Sequence, residues 1–529
     1  MRKSINNIIT KILVVSTVFI VSACTTNFED YNTPKDEPQG GFPGLYLKDM
    51  QMQILPAAKN KYQMNENLLG GAYGRYFASA QVANKAQFQT SFILFNPAYS
   101  WANSPFEETM ATVYGNWYQV KSITKGEGVA YAWGQILRIA AMHRLTDIQG
   151  PIPYSAMGNI KGLETPYDDQ ETVYMTMFED LDKAIVELTA YVGVNPSDRS
   201  YKSFDLVYGG DFSKWIKFAN SLKLRMAMRI SLVNSTKAKE YAEAAISHPY
   251  GVITSNEDNA AVDYKDTGDQ NPLRWLVEDY QDVVAGAEIV TYMNSYADPR
   301  LKKYFNTPVS GTDYAGLRLG ALSSLTWRNS YSLPKVMSTD KLMWISASEV
   351  AFLRAEMALN DGWNAGGTAQ DFYEEAITLS FTQNDLSAED AAGYYANSTL
   401  VPTNHTDARA TPNLNYAPAI PYSVTIAWDD AATKEQKLEK IITQKWIAIY
   451  PLGTEAWSEQ RRTGYPRFYP SVNAAEPSLQ AVGASRLPFA PSEAENSPEN
   501  YAKAVQLLGG PDNFGTKLWW DVKTNKPAW

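Results

Sequence analysis

Paired amphipathic helices are the sequence feature that most limits what this chain can fold into. Apolar residues recur at three- and four-residue steps in four stretches, which begin near Leu45, Gly126, Gly210 and Ser346. This spacing places apolar side chains on one face of an α-helix. The last three stretches are each followed, after a short loop or turn, by another stretch of the same kind. We therefore predict helical hairpins, with Asp169 as the N-cap of one second helix.

The second helices of these hairpins share a step of two residues, at Ala184-Ile185, Ala245-Ile246 and Ala376-Ile377. Small residues at such places let two helices approach closely, as in tetratricopeptide-type hairpins. The steps are unevenly spaced along the chain, so large insertions must separate the hairpins. The prediction is a helical scaffold decorated with loops.

Two insertions, at about 250–340 and 385–430, are rich in Asn, Asp, Thr, Gly, Pro, Tyr and Trp and carry few helical patterns. Short strands, such as one over Ser423 to Trp428, are expected within them. Loops of this length inside a compact body are more often functional than accidental. The predicted fold class is mainly α, with helical hairpins on one side and a loop-rich side that has a few short strands.

The N-terminus has the pattern of an export and lipidation signal. Residues 1–23 hold basic residues followed by an apolar stretch from Ile12 to Val21, and Cys24, the only cysteine, comes after two small residues. Ten apolar residues are too few to span a membrane as a helix. We expect cleavage before Cys24, acylation of its thiol, a flexible tether over residues 24–44 and a single domain over 45–529.

Charge and composition exclude several classes of function. Lys+Arg 47 against Asp+Glu 57 gives a net charge of −10 without a basic run, so we expect no nucleic-acid partner. One cysteine and three separated histidines offer no Cys- or His-based metal site, and we expect no metal and no cofactor. The common nucleophile-elbow, phosphate-loop and zinc-protease motifs are missing, so no catalytic residue is predicted.

Seven further segments stand in a fixed order along nearly the whole chain. They are NFEDYNT after Cys24, RLTDIQGPIPY (Arg144 to Tyr154), YGGDFSKWIKFANSLKLRMAMRIS (Tyr208 to Ser231), DPRLKKYF (Asp298 to Phe305), ISASEVAFLRAEMAL (Ile345 to Leu359), IITQKWIAIYPLGTEAWSEQRRTGYPRFYP (Ile441 to Pro470) and SRLPFAPSEAENSPENYAKAV (Ser485 to Val505). In this combination the chain resembles the SusD/RagB outer-membrane lipoproteins of the Bacteroidetes.

The resemblance implies a non-enzymatic protein that is lipid-anchored at the outer membrane and faces the outside. It implies that the protein covers a SusC-like TonB-dependent transporter and captures a nutrient, usually an oligosaccharide and sometimes a peptide. The tetratricopeptide-like hairpins are the surface expected to dock on the transporter. From the residues alone, an exported glycoside hydrolase lipoprotein and a purely structural repeat scaffold remain alternatives.

Aromatic side chains outside the helical patterns are the candidates for ligand contact, because ring faces stack on the C–H surfaces of sugars. The predicted ligand-binding residues form two clusters: Tyr99, Trp101 and Asn103; and Tyr314, Trp327, Arg328 and Tyr331. We expect Trp101 and Trp327 to supply ring faces, the tyrosines to flank them, and Asn103 and Arg328 to hydrogen-bond the ligand. The helical Trp133, Trp215 and Trp446 are expected in the core.

Two other motifs have a functional and a structural interpretation. Arg461 and Arg462 would clamp an anionic ligand or, as we favour, hold carboxylates and carbonyls inside the fold. The carboxylate pairs Glu107-Glu108, Asp168-Asp169 and Asp429-Asp430 would suggest glycosidase chemistry. Adjacent residues point to different sides, however, so we favour solvated charge for all three pairs.

Overall fold

The computed structural model describes residues 41–158, 165–265 and 267–527. The predicted signal segment 1–23, Cys24 and nearly all of the tether 24–44 lie outside these residues. From Pro43 onward the chain forms one compact unit.

Nineteen α-helices lie in the described part of the chain. The first eight are α1 (Gly44–Ile54), α2 (Lys59–Tyr62), α3 (Ala86–Gln89), α4 (Tyr99–Thr124), α5 (Gly128–Gln149), α6 (Gln170–Val194), α7 (Phe212–Arg229) and α8 (Ser235–Ser247). The next six are α9 (Pro272–Trp275), α10 (Ala287–Ser295), α11 (Leu301–Tyr304), α12 (Ala347–Met357), α13 (Ala369–Gln383) and α14 (Ala388–Tyr395). The last five are α15 (Lys434–Ala448), α16 (Gly453–Thr463), α17 (Ser478–Val482), α18 (Pro491–Asn496) and α19 (Pro498–Leu508).

Strands and irregular helices are short. The strands are β1 (Phe77–Ser79), β2 (Ala260–Val262), β3 (Val283–Ala285), β4 (Phe305–Asn306), β5 (Leu333–Pro334) and β6 (Leu342–Ile345). They form antiparallel pairs, β1 with β3, β2 with β6 and β4 with β5. Two segments are π-helical, Gln63–Gly71 and Leu276–Tyr280, and four are 3₁₀-helical, Phe92–Leu94, Asn256–Asp258, Leu325–Ser330 and Pro412–Leu414. The mainly α fold with few short strands is confirmed.

The predicted hairpins are present: α5 packs on α6, α7 on α8, and α12 on α13. Asp169 caps α6 by accepting a hydrogen bond from the Thr172 backbone N–H at 2.8 Å, as expected. Ala376 is fully buried where α13 meets α12, and its carbonyl accepts a hydrogen bond from the Ser348 hydroxyl at 2.7 Å. This contact shows that α12 and α13 approach closely at the step.

Two local expectations were wrong. The segment around Tyr99 and Trp101 is not a loop, because α4 begins at Tyr99 and accommodates Pro105 within its first two turns. Residues 423–428 form no strand. Helix α14, which begins with a capping box at Ser387 inside the second insertion, was not predicted.

The core contains the tryptophans that the helical pattern placed there. Trp133, Trp215 and Trp446 are buried, and the Trp133 and Trp215 ring centroids are 5.4 Å apart. The Trp446 ring stacks on Tyr76 with the centroids 5.7 Å apart. These contacts confirm a packing role for the three residues.

A network of buried ion pairs joins α5, α7, α12, α15 and α16. Arg462 is fully buried and bonds to Glu356 at 2.6 and 2.7 Å and to Glu459 at 2.5 Å. Arg461 lies over the Trp457 ring at 3.6 Å and donates to the Asp147 carbonyl at 2.7 Å. Both arginines therefore hold interior carboxylates and carbonyls, as the structural interpretation predicted.

Candidate ligand-binding site

A cleft of about 380 Å³ lies beside the first turn of α4. Trp101 lines it together with residues of three other segments, 60–64, 85–88 and 279–282. The Trp101 ring is half-buried and meets Phe88 edge to face, with centroids 5.8 Å apart. An aromatic wall and a few polar groups in a concave site are what ligand pockets share.

Two π-helical segments meet at this cleft. The first begins at Gln63 and the second ends at Tyr280. The Tyr280 hydroxyl donates a hydrogen bond to the Asn60 side chain, and the Gln63 side chain donates one to Asp282. π-Helical turns are rare and occur frequently at functional sites, so their meeting here supports a ligand-binding role for the cleft.

The backbone turns sharply where the second π-helical segment ends. Gln281 has a φ of 55°, in the left-handed region that a residue with a Cβ seldom adopts. This turn leads the chain directly into β3 and places Asp282, which is 1% exposed, at the wall of the cleft. Strained residues of this kind cluster at ligand sites.

Burial controls the electrostatics of the cleft. It raises the pKa of the Asp282 carboxyl to about 6, against the opposing effects of its hydrogen bond from Gln63 and of the Lys85 and Arg328 cations. Arg328 donates to the Val277 carbonyl at 2.6 Å, and burial lowers the pKa of its guanidinium while Asp282 raises it. Arg328 therefore holds the second π-helical segment beside the cleft.

The first predicted cluster is divided between two faces of α4. Tyr99 and Asn103 are four residues apart and share a face, whereas Trp101 lies about 200° around the helix from Tyr99. The Tyr99 hydroxyl donates to Glu495 at 2.6 Å, and the buried Asn103 side chain accepts from the Ser492 backbone N–H at 3.0 Å. Asn103 is thus occupied in the interior, and our expectation that it hydrogen-bonds a ligand is corrected.

Of the second predicted cluster, one residue lines a different cleft, of about 680 Å³. Tyr314 lines that cleft, and Trp327 lies half-buried under the Arg409 guanidinium, 4.9 Å from its ring centroid. Tyr331 is fully buried and donates to Asp407 at 2.7 Å. No face of the Tyr331 ring is open to a ligand, so its expected flanking role is also corrected.

Several cleft residues were missed by the sequence analysis: Phe88, Tyr280 and Asp282. Phe88 and Tyr280 carried the same aromatic signal as Trp101 but follow no recognisable motif. Asp282 is one of many acidic residues in the sequence, and only its position in the fold distinguishes it.

The carboxylate pairs do local structural work. Glu108 forms an ion pair with Lys61. Asp168 accepts a hydrogen bond from the Ser155 backbone N–H at 2.6 Å, and Asp169 caps α6. Asp429 accepts from the Ala431 backbone N–H at 2.9 Å, and Asp430 accepts from the Trp428 indole N–H at 2.9 Å.

Among the described residues, no group of His, Cys, Asp and Glu side chains is arranged to hold a metal ion. Within the same residues, no helix has the length and apolarity needed to cross a membrane.

A family model described as SusD-like, "Susd and RagB outer membrane lipoprotein", matches residues 26–521. The chain belongs to the SusD-like family. The resemblance seen in the sequence is therefore confirmed, and the family description is that of an outer-membrane lipoprotein. No curated protein sequence matches the chain.

Solved structures agree with this assignment. A SusD homolog from Bacteroides uniformis is 38% identical, with a TM-score of 0.84 over 91% of this chain and 99% of its own. A chitin-binding SusD homolog from Flavobacterium johnsoniae is 35% identical, with a TM-score of 0.84 over 92% of this chain and 99% of its own. A SusD-like protein from Bacteroides thetaiotaomicron is 35% identical, with a TM-score of 0.85 over 92% of this chain and 100% of its own. This SusD-like chain thus shares its fold with these proteins over the 91% to 92% of its length that they cover.

Proposed function

We propose that this SusD-like protein binds an oligosaccharide in the cleft beside Trp101 and delivers it to a SusC-like TonB-dependent transporter in the outer membrane. The observation that carries the proposal is the cleft itself, which combines an aromatic wall with a buried carboxyl group and several more exposed polar side chains in a SusD-like scaffold. Its volume falls within the range of small-molecule sites. A structural relative that binds chitin supports a glycan as the ligand.

Binding without turnover is the proposed activity. Asp279 and Asp282 both line the cleft, so a hydrolase would have two carboxyl groups available there. A reducing-end assay on each glycan that binds separates the two functions. Release of new reducing ends by the wild type, abolished in Asp282→Asn, would contradict a binding protein.

The ligand class is tested by titrating neutral hexasaccharides and a pool of short peptides into the soluble protein that begins after Cys24. We expect heat of binding from one of the hexasaccharides, namely chitohexaose, cellohexaose, maltohexaose or xylohexaose. Binding of the peptide pool without binding of any glycan would replace oligosaccharide by peptide, the alternative that the family resemblance also allows.

Anchoring is proposed to depend on Cys24, the sole cysteine, which follows an apolar export segment. Cys24→Ala is expected to move the protein from the outer-membrane fraction to the soluble fraction. Protease treatment of intact cells tests the outward orientation, since a surface-facing protein is degraded and an inward-facing one is protected. Unchanged fractionation of Cys24→Ala would contradict lipid anchoring.

The transporter is proposed to contact the helical hairpins rather than the cleft. Val186 and Val194 are exposed apolar residues on α6, and charged replacements there are expected to reduce co-purification with a SusC-like barrel. Trp101→Ala is the matched variant on the cleft side and should leave co-purification intact. The opposite pattern would assign the docking surface to the cleft side.

A further inference from the structure

A buried carboxyl group forms part of the wall of the cleft beside Trp101. Asp282 is 1% exposed, and its Oδ2 accepts a hydrogen bond from the Gln63 side-chain amide. Within the described residues, its Oδ1 is itself buried in the cleft wall and has no hydrogen-bond partner from another residue, although the Asp282 backbone N–H lowers the pKa of the carboxyl. A carboxylate oxygen is an acceptor that needs a donor, and leaving one unsatisfied inside a protein is costly.

The surroundings of Asp282 supply little compensation for its charge. The titratable or charged groups that face it are Lys85 next to α3, Arg328 of the 3₁₀-helix Leu325–Ser330, and Asp279 and Tyr280 of its own segment. Lys85 is exposed, and the Arg328 guanidinium donates to the Val277 carbonyl. The π-helical segment opposite contributes the neutral Gln63, and Ala80, directly after β1, donates its backbone N–H to the Asp282 carbonyl at 3.0 Å. No ion pair within 4 Å joins Asp282 to a cation in the described part of the chain.

The backbone at this position is also costly to maintain. Gln281 is held at a positive φ and leads directly to Asp282, where β3 begins at the next residue. An apolar residue or an amide would fit a buried position more cheaply than an ionisable group with one free oxygen. Burial without full pairing, in a cleft, is the pattern that marks functional carboxyl groups.

We propose that Asp282 is a ligand-binding residue whose free carboxylate oxygen accepts hydrogen bonds from the hydroxyl groups of a neutral sugar. The inference rests on the proposed glycan-binding function and narrows it to a ligand class. A uronic-acid or sulfated sugar presents acceptors and negative charge, which the Asp282 carboxylate repels. A neutral sugar presents hydroxyl donors and, against Trp101, an apolar ring face.

The same geometry makes binding sensitive to acid. Since burial places the pKa of Asp282 at about 6, the carboxyl group is ionised at neutral pH and protonated at about pH 5. Hydrogen bonds to a charged acceptor are stronger than those to a neutral one, and we expect affinity to fall about tenfold between about pH 7.5 and about pH 5.

The test uses three variants of the soluble protein: Asp282→Asn, Trp101→Ala and Asp361→Asn. Asp361 is an exposed carboxylate in the turn after α12, so its variant controls for the loss of one negative charge. The four neutral hexasaccharides and an oligogalacturonate are titrated into each protein at both pH values, and melting temperatures are recorded without ligand. Asp282→Asn is expected to melt higher at about pH 7.5, to bind the neutral hexasaccharide at least tenfold more weakly than the wild type, and to lose the pH dependence.

Each contrary outcome overturns a defined statement. Full affinity in Asp282→Asn, with weak binding in Trp101→Ala, overturns the role of Asp282 and leaves the proposed function standing. A lower melting temperature in Asp282→Asn at both pH values overturns it too, because the carboxyl would then be structural. Tighter binding of oligogalacturonate than of neutral sugars overturns the ligand class. A wild type that binds none of the glycans overturns the proposed function, and the inference with it.

Discussion

Charge is buried in two regions of the molecule, and the two regions treat it differently. In the helical body, Arg229 is fully buried and contacts Asp147 at 3.1 Å, Glu455 at 2.6 Å and Glu459. In the cleft, Asp282 is equally buried, but the only other residue that donates to its carboxyl is the neutral Gln63, and its Oδ1 has no partner from another described residue. In the helical body, buried charges neutralise one another. In the cleft, the carboxylate of Asp282 has no such partner among the residues described, and a ligand can supply the missing hydrogen-bond donor.

The pKa directions follow the same division. Burial opposes ionisation of Glu459, but Arg462 and Lys445 outweigh it and hold the pKa of Glu459 below its ordinary value. At Asp282 burial prevails and the pKa rises. At Glu459 three cations outweigh burial, whereas at Asp282 no ion pair in the described part of the chain does so, and this difference distinguishes the candidate site from the ion-pair network around Glu459.

The largest expected effect is that of opening the paired region. Arg462→Ala leaves Glu356 and Glu459 buried without their main partner, which typically costs about 3 to 5 kcal/mol. Urea denaturation at neutral pH measures the loss. The exposed pair Lys237–Glu240 on α8 is the control, since Lys237→Ala should change stability by less than about 1 kcal/mol. If the two variants lost the same free energy of unfolding, buried and exposed ion pairs would not differ in their contribution to the stability of this protein.

Asp282→Asn tests the unpaired region, and we expect it to raise the free energy of unfolding at neutral pH, whereas Arg462→Ala lowers it. Because the folded pKa of about 6 exceeds the ordinary value of 3.8, the native state binds the proton more tightly than the unfolded state. The wild type therefore loses stability as pH rises from about 4 to about 6, by up to about 3 kcal/mol, and loses no more above that range. Asp282→Asn should lack this loss. Denaturation of both proteins at several pH values gives their free energies of unfolding. If these free energies change with pH in the same way in the two proteins, the raised pKa is not that of Asp282.

Trp101→Ala separates ligand binding from stability. Loss of a good aromatic anchor costs about 2 kcal/mol of binding free energy, roughly a thirtyfold loss of affinity. Trp133→Ala is the structural counterpart, because that ring is fully buried and its removal costs about 3 to 5 kcal/mol of stability. Calorimetric titration and thermal melts of both variants make the comparison. A Trp101→Ala protein that melts as low as Trp133→Ala would assign Trp101 to the core.

The smallest effect concerns a partnered carboxylate at the surface. Asp169→Ala removes the N-cap of α6 and should lower the free energy of unfolding by about 1 kcal/mol. Asp169→Ala is thus expected to destabilise the protein and Asp282→Asn to stabilise it, although both variants remove a carboxylate. A stabilised Asp169→Ala protein would show that hydrogen-bond pairing does not decide whether loss of a carboxylate stabilises or destabilises the fold.

The candidate site was only partly accessible to sequence reasoning. Trp101 was predicted from aromatic clustering, and it lines one cleft with Asp282. Arg328, predicted beside Trp327, does not line this cleft but is a cation near Asp282. Tyr99 and Asn103 are grouped with Trp101 in the sequence because the segment carries no recognisable helical pattern. Once α4 begins at Tyr99, the helical rotation of about 100° per residue sends Tyr99 and Asn103 toward α18 and Trp101 toward Phe88.

By itself the sequence determined the helical hairpins, the cap at Asp169, the buried tryptophans and the family. These features depend on local periodicity and on short sequence segments. The residues that define such a pattern lie close to one another in the chain. Only the tertiary structure decided which polar groups meet in the cleft, since Gln63, Trp101 and Asp282 are far apart in the chain. Whether a carboxylate is paired depends on the side chains that surround it in space, and local sequence carries no record of those neighbours.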